Sequence, residues 1–154
     1  MLRAAARRDG AGVCRVGEGG AKTGQGEEGS GKSIVEAMLR YPELIAGVGR
    51  PCTDMMRAHP GRVVVKVGAA GGYCGLLTRE GCGIALKVED GHTEAAALAM
   101  SAILAELGVR PQPETLRSQP VVNTRGETVG ELRVNGGLLR AKDAAGTGRD
   151  VYDA

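Results

Sequence analysis

The chain contains no phenylalanine and no tryptophan, and only three tyrosines among its 154 residues. Because large aromatic rings dominate the area a core can bury, their scarcity excludes a core built on ring packing. The interior must instead come from Ala, Val, Leu, Ile and Met, which bury little area per residue and give a weak core. The length suits one domain and not two. Also lacking is any Cys-x-x-Cys spacing or neighbouring His pair around Cys14, Cys52, Cys74 and Cys82, so no zinc site is signalled and no cofactor is expected. No secretory signal precedes these thiols, and reduced cysteines in a cytoplasmic protein are the default expectation. Nor is there a basic block: the net charge is +2, with acidic residues interspersed among the basic ones. That composition points to no nucleic-acid or membrane partner.

What the chain has in excess is glycine, 26 in all, and these punctuate a central stretch from Arg62 to Asp90. Val63 to Val67 is a β-branched run interrupted by one lysine, Gly71-Gly72 breaks it, Tyr73 to Leu77 resumes it, and Gly83 to Val88 follows a turn at Thr78 to Gly81. Connections this short predict three antiparallel neighbours, since a parallel crossover needs about a dozen residues. Lys66 is the polar exception in the most strand-prone run. It reads either as a solvent-facing edge lysine or as the lysine of a Lys-x-Gly strand like those beside the nucleophilic serine of acyl-transfer enzymes.

Around this centre the pattern predicts an α+β protein. Ser33 to Arg40 reads as a short helix, Pro42 begins another turn, and Thr53 to Ala58 a third, with Thr53 as N-cap and Met55 and Met56 inward. Thr93 to Leu107 is the longest helix, closed by Gly108, and is expected to bury Leu98 and Ile103 against the sheet. Pro120 to Asn123 and Glu127 to Val134, around Arg125-Gly126, predict a last strand pair. Residues 1–32 read as a disordered Gly-rich leader, 33–134 as the folded unit and 135–154 as a polar tail. Within the leader, Gly26 to Ser33 fits the P-loop pattern G-x-x-x-x-G-K-[ST], whose amides cradle phosphate, although Glu27 and Glu28 would put negative charge there.

Taken together, Tyr41 to Gly47, Gly49-Arg50, Met55 to Arg57, Val63 to Ala69, Tyr73 to Gly75, Gly83 to Gly91 and Asn123 to Arg133 resemble the bacterial L-asparaginase II family, rhizobial thermolabile type. The resemblance runs from about Ser33 to Val134 and covers the C-terminal part of the family's usual chain. It implies a partial glutaminase/serine-β-lactamase-like fold and an amidohydrolase that converts L-asparagine to aspartate and ammonia. It also implies that Lys66 is the strand lysine paired with a catalytic serine, that the Ala69 N–H serves the oxyanion, and that Cys52 neighbours the active site. No Ser-x-x-Lys occurs here, since Ser30, Ser33, Ser101 and Ser118 all lack Lys three positions on. The expectation is therefore a truncated chain, inactive alone, that is completed by a complementary N-terminal half or assembles as a homo-oligomer.

Overall fold

The computed structural model describes residues 2–8, 27–135 and 149–151, with side chains described from residue 31 to residue 135. The organising element is the predicted antiparallel meander. Its strands are β2 (Val63–Val67), β3 (Gly72–Leu77) and β4 (Cys82–Val88), paired Val65 to Gly75 and Gly75 to Ile84. The tight return between β2 and β3 requires glycine at position 71. Its φ is +72°, and a Cβ there would meet Gly91 Cα at 2.9 Å. In return, Gly71 O accepts from Val88 N at 3.0 Å, tying the turn to the end of β4.

Two further strands extend the sheet beyond β4: β1 (Leu2–Arg8), antiparallel to β4, and β7 (Arg149–Val151), antiparallel to β1. The sheet order is β2-β3-β4-β1-β7, which leaves β2 at one edge. Leu2 to Arg8 thus differs from the expected unstructured leader. An antiparallel ladder is made of backbone N–H and C=O groups, and an Ala/Arg-rich segment supplies these as well as a valine-rich one. Residues 9–26 of that leader and 136–148 of the expected tail lie outside the described residues.

Helix α1 (Glu27–Arg40) also starts earlier than the predicted Ser33. It takes in Glu27 to Gly31, the residues that a P-loop needs as a phosphate-wrapping loop ahead of its helix, so the pattern is not folded as a P-loop. After it come α2 (Glu43–Ala46) and α3 (Pro51–Ala58). Pro51 rather than Thr53 opens α3. Thr53 lies buried one turn in, and its hydroxyl donates to Gly47 O at 2.6 Å and Pro42 O at 3.1 Å, fastening α3 to the α2 turn. The hydroxyl expected to cap its own helix instead satisfies carbonyls of the preceding one.

Helix α4 (Thr93–Glu106) packs on β3 and β4, its N-terminus capped by His92 Nδ1, which accepts from Ala95 N at 3.2 Å. Ala96, Met100, Ile103, Leu104 and Leu107 follow the i, i+4, i+7 row and are buried in the core with Val63, Val65, Leu77 and Ile84. Leu98 is also buried, but away from that core. It lies about 140° round the helix from Ile103 and lines a cavity with Leu116 and Val134. The expectation that both would face the sheet therefore holds for Ile103 alone. A 3-10 turn at Glu114–Leu116 leads into the last predicted pair, β5 (Ser118–Val122) and β6 (Thr128–Arg133), which forms a separate two-stranded sheet. No helix among the described residues is long and apolar enough to cross a membrane.

Candidate functional site

At the open edge of β2 the sheet meets α3 and the start of α4, and a cleft of about 440 Å³ forms between them. Its lining comes from five regions: the end of α2, Arg50, Pro51 and Cys52 at the start of α3, Lys66, Val67 and Tyr73 from the sheet, Thr93, Glu94 and Ala97 from α4, and Gln119 from β5. Val63, Val64 and Val65 are all buried, and Lys66 is the first exposed side chain along β2. By the alternation of a strand it shares a face with the buried Val64, so the cover on that face ends between them.

Val67 links the two residues that the sequence singled out. Gly68 N donates to Gly72 O at 2.8 Å, so by the alternation of an antiparallel ladder the N–H and C=O of Val67 point away from β3. Both outward groups are taken by side chains: the N–H donates to Cys52 Sγ at 3.3 Å and the carbonyl accepts from Lys66 Nζ at 2.7 Å. Cys52 Sγ in turn lies 2.9 Å from Tyr73 Oη, either atom being able to donate. Burial, then the hydrogen bond to Cys52, pushes the Tyr73 hydroxyl well above the ordinary phenol range, so it stays protonated near neutral pH.

Of the three residues named from the sequence, Cys52 and Lys66 therefore meet in one cleft. Ala69 lies in the exposed β2–β3 turn, where its carbonyl accepts from Gly72 N at 3.1 Å, and it is not among the cleft-lining residues. Arg50, Tyr73, Glu94 and Gln119 join the cleft without having been singled out. They come from four separate elements, and no local spacing announces such a meeting. Among the described residues no group of three or more His, Cys, Asp or Glu side chains is placed to hold a metal ion.

The class these features define is an α+β protein whose sheet edge presents a lysine beside a buried thiol–phenol pair. More specifically, the chain belongs to the L-asparaginase II family, whose model matches residues 11–134. That match takes in residues 11–32, upstream of the stretch over which the resemblance was read. A search of curated proteins found no match.

Proposed function

We propose that the chain carries the lysine-bearing side of an L-asparagine amidohydrolase site and acts in the cytoplasm. The observation that supports this is the meeting of Lys66 and Cys52 on the two outward groups of Val67. The reaction breaks the side-chain amide of L-asparagine. A serine oxygen attacks the carbonyl carbon and passes its proton to a basic group, the amide nitrogen leaves as ammonia, and water then releases aspartate from the acyl-serine. Lys66 is the proton-handling group in this scheme and the Ala69 N–H the oxyanion donor.

No serine lines the cleft among the described residues, and no Ser-x-x-Lys occurs in the chain. The nucleophile is therefore supplied by a complementary segment docked at the β2 edge. A second copy of this chain lacks the same motif and would not restore turnover, whatever the oligomeric state.

The test is ammonia release from L-asparagine, measured for the purified chain alone and again after mixing with a serine-bearing N-terminal segment of a family member. Little or no turnover is expected alone. Turnover is expected from the mixture, and Lys66→Ala should abolish it while the two parts still co-elute. Robust release by the isolated chain, unchanged in Lys66→Ala, would overturn the reading.

A further inference from the structure

The cleft carries charges of both signs on different elements, and that arrangement specifies more than the amide-cleaving end of a ligand. Arg50 stands at the N-cap of α3 and makes no ion pair with any described residue. It lines the same cleft as Tyr73, Lys66 and Glu94. Glu94 stands in the first turn of α4, and its carboxylate is 3.6 Å from His92 Nδ1. That nitrogen's single lone pair accepts from Ala95 N, so while it caps α4 it carries no proton to give the carboxylate. Lys66 Nζ is the third charge, already held by Val67 O. A cleft lined by a cation and an anion, neither neutralised by a charged partner among the described residues, and by a lysine as well, complements a zwitterion with a polar side chain. A simple dicarboxylate or an uncharged amide would leave at least one of these groups unanswered.

We propose that Arg50 and Glu94 are the specificity-determining pair of this cleft. Arg50 takes the α-carboxylate of a small α-amino acid, Glu94 takes its α-ammonium, and the side-chain amide or acid is left toward Lys66. The inference rests on reading the cleft as an amino-acid amide site, and it goes beyond that reading by assigning the two charges of the substrate. Arg50 suits a carboxylate because its guanidinium fork matches the two oxygens, which a point-charge ammonium does not. Glu94 makes the site discriminate: a ligand without the amino group forgoes a charge-assisted contact with its carboxylate.

The experiment is calorimetric or NMR-detected binding of L-aspartate and of succinate, which differ by the amino group, to the full chain and to two variants. Wild type is expected to bind L-aspartate at least about tenfold more tightly than succinate, the size of a single charge-assisted contact. Glu94→Gln should weaken L-aspartate by about that factor and leave succinate within twofold, erasing the preference. Arg50→Met should weaken both ligands together. Both side chains are surface-exposed, and an unchanged melting temperature in each variant shows that binding, not folding, has been altered. An aspartate-to-succinate ratio unchanged in Glu94→Gln would overturn the proposal, as would failure of the wild-type chain to bind L-aspartate. Neither result depends on ammonia release, so the clamp can fail while the amidohydrolase reading stands, and a loss of turnover in Lys66→Ala leaves this test unaffected.

Discussion

Cys52 Sγ and Tyr73 Oη lie 2.9 Å apart, and both side chains are buried. The thiol thereby has two partners, the phenol and the Val67 amide, in a place that excludes water. Tyr73→Phe removes one of them, and a buried polar pair broken on one side costs about 1–2 kcal/mol. The urea midpoint should fall with an unchanged slope. In the same variant, iodoacetamide should reach Cys52 faster, while the exposed Cys74 reacts before it and at the same rate in both proteins.

Two glycines with positive φ separate backbone strain from steric clash. At Gly81, φ is +57° and a Cβ would meet nothing within 4 Å, so Gly81→Ala should cost only the left-handed penalty of about 1–2 kcal/mol. At Gly71 the same penalty is joined by collision with the backbone of Gly91 and Val88, none of which is the end of a flexible side chain. Gly71→Ala should therefore cost about 3 kcal/mol or more. Thermal melts of the two variants, run side by side, give the comparison; equal losses would mean that the β2–β3 turn does not bear on β4.

Ile103 is fully buried in the core between α4 and the sheet, whereas Leu98 faces a cavity of about 620 Å³ on the other side of the helix. Truncation of either removes buried methyl groups, but Leu98 already borders open space and leaves less new void behind. Ile103→Ala should cost about 3–4 kcal/mol and Leu98→Ala about 2 kcal/mol in urea unfolding. The reverse order would place Leu98 in the central core.

Acid should loosen the packing of α3 against the loop after α4 before it reaches any carboxylate. His59 is buried near Gln112, their side-chain nitrogens 3.5 Å apart. Burial, and then the positive charge of Arg62, hold its imidazole below the ordinary value of 6.5, while a backbone hydrogen bond at Pro111 opposes them. The unfolded chain then binds a proton at higher pH than the folded one, so stability falls as pH drops from 6.5 to the lower folded value and levels off below it. Glu80 acts further down. Arg62 holds it below the ordinary 4.5 through bonds of 2.6 and 2.8 Å, so its contribution is present above 4.5 and lost as pH falls through the folded value. Stability measured by urea unfolding across pH 7 to 4 should show the upper decline in wild type and not in His59→Gln.

The meander was legible because three local signals agreed: β-branched runs, glycine breaks, and connections too short for anything but antiparallel neighbours. Ile103 was legible because core-facing residues recur at helical spacing. Leu98, equally apolar, was not, because α4 is apolar nearly all round and periodicity cannot say which side meets the sheet. Leu2 to Arg8 had no strand signal of its own; what recruits it is the open edge of β4, a property of the assembled sheet. The α1 boundary was missed because Gly29 and Gly31 argue against a helix locally at about 1 kcal/mol each relative to Ala, a preference that tertiary context overrides. For the site, Lys66 was visible as a charge in an apolar run, whereas Arg50, Glu94 and Gln119 look like any solvated surface residues until the chain has brought them to one cleft.

The two outward groups of Val67 give the sheet edge a further property. An exposed strand normally offers its N–H and C=O groups to any passing chain, and here a thiol and an ammonium occupy both positions at the end of β2. A segment that adds alongside this strand must take the carbonyl from Lys66 before it can pair. Docking and release of the ammonium are then one exchange. Whatever adds at this edge therefore also sets where the Lys66 side chain points.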